Sequence, residues 1–280
     1  MTVSRAWAWL VAALLFMACA RVPVTRRVQV NMIPEPIANS LGKATYQQML
    51  SGANIRSEGP DAQTLRRVGR RISAVAGKKK YSWQYRLIVD NQINAWALPG
   101  GYIGFYTGIL PVLRNEAGMA FVMGHEVGHA TARHGSERIS QQLALVGGLV
   151  GLEVLLASQT KWTPEERAIV LGSLGVGAQF GIMLPFSRMH ETEADVIGLM
   201  YMARAGYPPG ESILVWDRMN AASGPGLPAF LSTHPSHERR KKNLREWMPQ
   251  ARKRYQRNRI SEDTQRVLWS GPAGSGGRRL

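Results

Sequence analysis

The stretch His-Glu-Val-Gly-His at residues 125–129 decides the fold, and it lies inside the run EAGMAFVMGHEVGHATA at residues 116–132. The spacing of apolar residues in this run predicts a helix. Residues four apart share one face of a helix, so His125 and His129 can offer imidazole nitrogens to one cation. Glu126 is then placed to take a proton from a water molecule at the open position of that cation. The pattern predicts a hydrolytic metal site, and zinc suits this chemistry.

A hydrolytic zinc site needs a third protein ligand, and the stretch SRMHETEAD at residues 187–195 supplies the candidates. Glu191 and Asp195 are four residues apart on a predicted helix that runs through Ala203, so they share a face. Glu191 is the favoured third ligand, and His190 is its rival. Asp195 is placed to accept the remaining N–H of a ligating histidine. The sequence therefore predicts one zinc ion per chain.

Together, these two motifs resemble the zinc metallopeptidase family of the CAAX prenyl protease, HtpX, BepA and LoiP. Three further segments are similar to that family: the run NAWALPGGYIGFYTGIL at 94–110, the pair Ser-Arg at 187–188, and the THPS stretch at 233–236 followed by Arg240. The resemblance covers about residues 36–250. It is strongest to the compact LoiP-like bacterial lipoproteins, because the chain has neither a long C-terminal repeat region nor a clear multi-span membrane portion.

The resemblance implies a predominantly helical α+β fold, a zincin-type metallopeptidase domain with a small β-sheet whose edge strand flanks the zinc helix. It assigns the zinc ligands and the general base to His125, His129, Glu191 and Glu126. It suggests that His234 can approach the metal and hold a latent enzyme inactive, and that Arg240 lies near the site and helps to hold substrate or oxyanion. His134 and His237 match no role in the family, so they are expected at surface or helix-end positions.

A predicted edge strand indicates how a protein substrate binds. An extended chain is expected to add a strand to a sheet edge, formed by Asn94, Ala95, Trp96, Ala97 and Leu98. Pro99 confines this run to a sheet edge or a strand end. The predicted function is hydrolysis of peptide bonds in misfolded or stalled envelope proteins. The alternative is an envelope assembly factor or chaperone whose zinc site is latent or inactive.

The start of the chain predicts export. A positively charged residue precedes an unbroken apolar run at 6–18, which has the length of a secretory signal and is too short to span a bilayer comfortably. The stretch 18–20 fits ordinary signal peptidase, whereas 16–19 resembles a lipobox that would lipidate Cys19. The lipoprotein interpretation is favoured, with a signal peptide at 1–18 and a periplasmic protein anchored at the outer membrane.

The remaining pattern divides the chain into a tether at 19–35, a metallopeptidase domain at 36–258 and a flexible tail at 259–280. The domain is expected to begin with helices at about 37–51 and 61–76 and strands at about 83–90, 94–103 and 102–110. The apolar face of the second helix is expected to carry Leu65, Val68, Ile72 and Val75. The strongly apolar run 143–156 fits either a buried helix or one that faces lipid or a partner.

The composition is strongly basic, with 35 lysines and arginines against 19 acids and a net charge of +16. Ten of the basic residues lie in residues 239–259, where Glu246 is the one acid. Basic patches bind phosphate backbones, but in an exported protein anionic lipid headgroups or lipopolysaccharide are better partners than nucleic acid, and a solvated basic helix is the simplest interpretation. The single cysteine excludes an intramolecular disulfide framework and a cysteine-built metal site.

Overall fold

Helices dominate the computed structural model, which describes residues 19–178, 183–222, 234 and 238–269. The helices of these ranges are α1 (Glu35–Leu50), α2 (Pro60–Ala76), α3 (Leu110–Leu113), α4 (Glu116–Ala132), α5 (His134–Gln159), α6 (Pro164–Ala178), α7 (Leu184–Arg204), α8 (Glu211–Ala221) and α9 (Glu238–Asn258). The strands are β1 (Cys19–Arg21), β2 (Val28–Val30), β3 (Ile55–Arg56), β4 (Gln84–Ile88), β5 (Ala95–Leu98) and β6 (Tyr102–Tyr106). The predicted α+β class with predominant helix is confirmed.

Four of these strands form one mixed sheet in the order β3-β4-β6-β5. The central pair β4 and β6 is parallel, and both outer strands are antiparallel to their neighbours. Strand β5 turns back into β6 through Gly100 and Gly101, whose φ angles of 90° and 95° favour glycine. The predicted strand at 102–110 ends earlier, at Tyr106, because a 3-10 turn at Thr107–Ile109 leads directly into α3. Strand β5 lies at the sheet edge, as predicted.

Helix α2 packs against this sheet through the apolar face that the sequence predicts. Val68 and Ile72 are fully buried in the core. Gly69, an unfavourable residue for a helix interior, has a packing reason. A Cβ at this position would lie 2.5 Å from ring carbons of Tyr85 on β4. The glycine costs about 1 kcal/mol in helix propensity, and it makes room for an aromatic side chain between helix and sheet.

Helix α4 lies at the centre of the molecule, and nearly all of its residues are buried. It begins where predicted, because the Asn115 side chain accepts a hydrogen bond from the Gly118 N–H at 2.7 Å. Helix α7 crosses α4 at very short range. A Cβ on Gly124 would lie 2.8 Å from the carbonyl oxygen of Gly198, and one on Gly198 would lie 2.6 Å from the His125 nitrogen. Any larger residue at either glycine would separate the two helices.

The segment 19–35 is folded onto the domain, so the predicted extended tether is wrong. Strands β1 and β2 form an antiparallel hairpin. From this hairpin, the Arg27 guanidinium donates to both carboxylate oxygens of Glu137 on α5, at 2.8 and 2.7 Å, and to Glu193 on α7 at 2.9 Å. Both glutamates are almost completely buried. The cation joins two helices that would otherwise carry uncompensated buried acids.

The same two glutamates are paired crosswise with two histidines. His134 Nε2 lies 3.1 Å from Glu193, and His190 Nε2 lies 2.9 Å from Glu137. The two imidazole rings stack with their centroids 4.4 Å apart and an angle of 11° between their planes. His134 is at a helix start, as expected, but it is buried and not at the surface. These four residues and Arg27 are called the polar clamp below.

The C-terminal segment also differs from its prediction. Trp269 is buried, and its indole N–H donates to the Asp61 side chain at 2.7 Å. The predicted flexible tail at 259–280 is therefore wrong as far as residue 269, because this part packs on the domain. The remaining tail at 270–280, the predicted signal peptide at 1–18, and His237 lie outside the described residues.

Helices α5 and α6 pack against each other and form the α5–α6 hairpin (residues 134–178). Along α5 the run 143–156 has no buried residue, so the interpretation as a buried helix is wrong. Among the described residues, α5 is the one helix that is long and apolar enough to cross a membrane.

The polar clamp predicts how stability depends on pH. Burial by itself raises the pKa of Glu137, but the hydrogen bonds from Arg27 and His190 outweigh it and lower the pKa from 4.5 to about 2. The carboxylate therefore stabilises the fold above pH 4.5, and this contribution is lost as the pH falls towards 2. Between pH 5 and 2.5 we expect the wild type to lose about 2 kcal/mol more free energy of unfolding than Glu137→Gln.

Urea denaturation at each pH measures this difference. The matched control is Glu166→Gln, which changes an exposed glutamate at the start of α6 and is expected to follow the wild-type pH dependence. Equal pH dependence for the wild type and Glu137→Gln would contradict the role given to this ion pair.

Candidate metal centre

The crossing of α4 and α7 brings His125, His129 and Glu191 together, and His234, from a later segment, lies beside them as a fourth potential ligand. One donor atom of each lies within 4.8 Å of the others. The Nε2 atoms of His125 and His129 are 3.0 Å apart, and the Glu191 carboxylate lies 3.4 Å from each of them. His234 Nδ1 lies 2.7 Å from Glu191 Oε2. Imidazole nitrogens with one carboxylate are a donor set that zinc accepts.

His125 is oriented by a buried acid. Its Nδ1 lies 3.0 Å from Asp195 Oδ1. An ionised carboxylate only accepts, so Nδ1 carries the proton and the Nε2 lone pair faces the cluster. Burial by itself lowers the pKa of His125, but hydrogen bonds with Asp195 and Glu191 outweigh it and raise the pKa to about 9. The negative charge that favours a proton on this ring is equally available to a metal cation.

His129 is oriented by the polar clamp. Its Nδ1 lies 2.9 Å from Nδ1 of His134, whose Nε2 lies against Glu193. Because Glu193 accepts, His134 carries its proton on Nε2 and accepts from His129 through Nδ1, which leaves the His129 Nε2 lone pair facing the cluster. Burial lowers the pKa of His129 well below its usual value and that of His134 to about 4. Both rings are neutral at pH 7, as a metal-binding imidazole must be.

Glu126 lies beside the four potential ligands. It is 1% exposed, and its Oε1 has no hydrogen-bond partner in the described part of the chain. This oxygen lies 3.7 Å from His234 Nε2. Burial raises the pKa of Glu126. A buried carboxylate oxygen without a partner costs free energy, so the site is suited to a water molecule or substrate group next to Glu126.

The rival candidates for the third ligand separate clearly in space. Glu191 lies among the four potential ligands, whereas His190 is turned to Glu137 in the polar clamp. Glu193 is turned to Arg27, to Thr25 and to His134. The three neighbouring side chains of α7 thus serve two different clusters.

Arg240 lies near the site, as predicted, and its guanidinium is directed at the acidic residues Asp195 and Glu191. The guanidinium donates to Asp195 at 2.6 and 2.8 Å and lies 3.3 Å from Glu191 Oε2. It also stacks 4.1 Å above the ring of Trp216 and is 1% exposed. This geometry orients the two carboxylates, and it differs from the expectation that Arg240 holds substrate directly.

The free edge of β5 lies next to α4. The Tyr106 N–H donates to the main-chain carbonyl oxygen of Asn94. In an antiparallel pair, only every second residue forms main-chain hydrogen bonds with the neighbouring strand. The main chain of Ala95 and Ala97 therefore faces away from β6, and no strand covers that side in the described part of the chain. Trp96 packs over Gly104, and Ala97 and His129 both line a small cavity of about 50 Å³.

Two features that build this site are not among the predictions from the sequence. The first is the glycine contact between α4 and α7, which single-residue patterns do not reveal. The second is the polar clamp, for which a signal was present. The spacing His-x-x-Glu occurs at 134–137 and again at 190–193. The two residues of each pair lie on one face of their helix, and neither pair shares a face with the metal ligands.

A His-Glu-x-x-His helix, with an acidic residue supplied by a second helix, is the arrangement of a metallopeptidase site. The chain belongs to peptidase family M48, whose family model matches residues 60–248. This confirms the resemblance on which the site residues were selected.

Curated relatives agree with this class. The chain is 34% identical over 254 residues to the mitochondrial metalloendopeptidase OMA1 of Schizosaccharomyces pombe, covering 89% of this chain and 72% of the relative. It is 31% identical to the Saccharomyces cerevisiae enzyme of the same name, covering 89% and 77%. It is also 29% identical to the β-barrel assembly-enhancing protease of Escherichia coli, over 71% of this chain and 41% of the relative.

These relatives correct the expected location. The chain was expected to be a periplasmic lipoprotein anchored at the outer membrane through Cys19. That location is wrong, because the relatives that match 89% of the chain are mitochondrial enzymes.

The arrangement of α7 predicts which neighbouring residue controls metal binding. We expect Glu191→Gln to weaken zinc binding by at least about 100-fold, since removing even a group that only orients a ligand costs 10 to 100-fold. His190→Asn is the matched variant one residue away, and it should keep one zinc ion per chain because His190 faces Glu137. Competition with a chromophoric chelator measures both affinities. Loss of zinc by His190→Asn with retention by Glu191→Gln would reverse the assignment.

Proposed function

We propose that this metalloendopeptidase uses zinc and cleaves extended segments of unfolded or misassembled proteins. The observation that carries the proposal is the buried Glu126 carboxylate beside four potential ligands, with one oxygen that accepts no hydrogen bond from the described residues. That arrangement places a base beside the potential ligands, and the free edge of β5 offers a place for the substrate main chain.

His125, His129 and Glu191 would hold the zinc ion. Zinc fits because the donors are two imidazoles and a carboxylate, and each imidazole has an orienting partner: Asp195 for His125 and the polar clamp for His129. When bound, zinc polarises a carbonyl group and lowers the pKa of water towards neutrality.

Glu126 performs the proton transfers. Its carboxylate removes a proton from the attacking water molecule and later passes that proton to the amine that leaves. Burial, which raises the pKa of Glu126, makes it a stronger base than a solvated glutamate and suits it to both steps.

His234 is proposed as the group that keeps the site latent. Its Nδ1 lies 3.2 Å from His125 Nε2 and 2.7 Å from Glu191, so it occupies space beside the ligands. Its other ring nitrogen faces Glu126. A substrate carbonyl and a water molecule need this space, so His234 must move before cleavage.

Arg240 is proposed as a positioning residue and not as a group that contacts substrate. Its bonds to Asp195 hold the carboxylate that orients His125. It also offsets the negative charge of Glu191 at 3.3 Å.

The substrate is proposed to pair with β5 along Asn94 to Leu98. Main-chain pairing does not depend on particular side chains, so it favours any substrate segment that is already extended. Folded proteins do not offer such a segment, which supports unfolded or misassembled proteins as the substrate class. The cavity shared by Ala97 and His129 would receive one substrate side chain near the reacting bond.

The assigned base predicts a separation between binding and chemistry. Glu126→Gln should still bind one zinc ion, because Glu126 is not among the four potential ligands, but its cleavage of unfolded casein should fall by about 10² to 10⁴-fold. The matched control is Glu166→Gln, an exposed glutamate on α6, which should cleave at the wild-type rate. A chelator should abolish wild-type cleavage, and added zinc should restore it.

Undiminished cleavage by Glu126→Gln would remove the assigned base. Absence of chelator-sensitive cleavage from every preparation, including one in which His234 is replaced by asparagine, would instead favour the assembly-factor alternative.

The edge-strand proposal predicts a specific effect of proline. Ala97→Pro removes an N–H that faces the free edge, so kcat/KM for unfolded casein should fall about tenfold while zinc content is unchanged. Ala97→Ser keeps the N–H and changes the side chain by one hydroxyl group, so it is the matched control and should remain close to wild type. Thermal unfolding checks that both variants fold. Equal activity of the two variants would place the substrate elsewhere.

A further inference from the structure

In the described part of the chain, little covers the α5–α6 hairpin beyond residue 140. From Gln141 to Ser158 no residue is buried, and the same holds for all of α6. Only the first turns of α5, which carry His134 and Glu137, pack into the body of the protein. The rest of the hairpin is in contact with whatever surrounds the molecule.

Apolar residues lie on every side of α5, because Glu153 is the one polar residue between residues 143 and 157. The large apolar side chains that are at least 48% exposed in the two helices are Leu143, Val146, Val150, Val154, Leu155, Ile169, Leu174 and Val176. An amphipathic helix that docks on a protein partner needs one apolar stripe, whereas a helix that is apolar all round lies in a protein core or in a membrane. Since the described residues do not bury it, the all-round pattern favours lipid.

The charges of the hairpin are arranged to suit a nonpolar medium. Between residues 141 and 158 the one ionisable residue is Glu153. Its carboxylate lies 3.0 Å from Nε of Arg167 on α6, whose side chain is 14% exposed. Ionisable residues within membranes pair with one another in this way. Residues 168–178 of α6 contain no ionisable side chain.

The dimensions agree with a bilayer. The 18 residues from 141 to 158 extend about 27 Å as a helix, close to the hydrocarbon thickness of about 30 Å. The connection between the helices contains Lys161 and Trp162, and Trp162 is 44% exposed. Tryptophan and lysine are typical of the membrane–water interface.

We propose that the α5–α6 hairpin inserts into a lipid bilayer, whose hydrocarbon chains cover its apolar surface. The metal centre then lies at the membrane surface, because α5 begins at His134, in contact with His129. A second copy of the chain is a poorer occupant, since a two-fold contact would bury one stripe of the hairpin and leave the opposite stripe in water. Insertion by the hairpin needs neither Cys19 nor a charged lipid.

Site-specific labelling tests the proposal. In full-length protein with Cys19→Ser, an environment-sensitive fluorophore is attached at Val150→Cys and, in a matched control, at Gln63→Cys on the exposed side of α2. Each protein is reconstituted into uncharged phosphatidylcholine vesicles, which avoids electrostatic attraction of the basic helix α9. Some of the lipid carries a nitroxide at the middle of the acyl chain. We expect a blue shift and quenching at position 150 and neither at position 63.

A second set of proteins keeps the test independent of other membrane-binding segments. With the label at Val176→Cys on α6, we expect quenching by the same nitroxide lipid. Adding Val146→Asp and Val150→Asp should abolish that quenching, because charges in the hydrocarbon region are costly. The two valines are 58% and 59% exposed and lie outside the metal centre, so casein cleavage and helical circular dichroism should be unchanged.

Two results would overturn the proposal. In the first, the label at position 150 stays in water when vesicles are present. In the second, it is already shielded without lipid and cross-links between copies of the chain, which would identify a second copy as the cover. Because the readout is spectroscopic, either result leaves the proposed proteolytic function to be judged on its own tests.

Discussion

The close crossing of α4 and α7 is the constraint on which the site depends. Gly124 and Gly198 let the two backbones approach to a distance that no larger side chain permits. The approach places the histidines of one helix against Glu191 and Asp195 of the other. A separation of one or two ångströms would leave the same residues in the sequence but would pull the carboxylate away from both imidazoles, and the donor set would no longer converge on one ion.

The polar clamp extends this crossing beyond the metal ligands. Arg27, His134, Glu137, His190 and Glu193 satisfy one another across three elements that are distant in sequence. Buried ionic groups of this kind gain little net stability over apolar packing, but breaking one partner leaves the others uncompensated. Their geometric effect is definite, since the proton order through His134 fixes which nitrogen of His129 faces the cluster. The N-terminal hairpin is thus part of the support of the metal centre.

Sequence reasoning predicted the parts of this molecule whose signals are local. The bounds of α4, the face of α2 and the edge position of β5 follow from apolar spacing and proline chemistry, and the motif identified the residues that converge. It was wrong where the conformation of a segment depends on contacts with residues distant in the sequence. Arg27 was placed in a tether because no neighbouring residue in the sequence indicates that it pairs with the buried acids Glu137 and Glu193. His134 looked peripheral because its partners come from α7, and 259–269 looked flexible because its docking surface is formed by other segments.

The position of the α5–α6 hairpin in the chain connects these observations. In the sequence it lies between α4 and α7, the two helices that cross at the metal centre. A displacement of the hairpin would therefore act on both helices. The two His-x-x-Glu pairs lie at its base, one in the first turn of α5 and the other on α7, and they join the two ends of the insertion to each other. An apolar hairpin seated in a fluid bilayer would tilt and shift. The polar clamp holds the base of the hairpin in place, so this motion need not displace His129. The four potential metal ligands can therefore keep their geometry at a membrane surface.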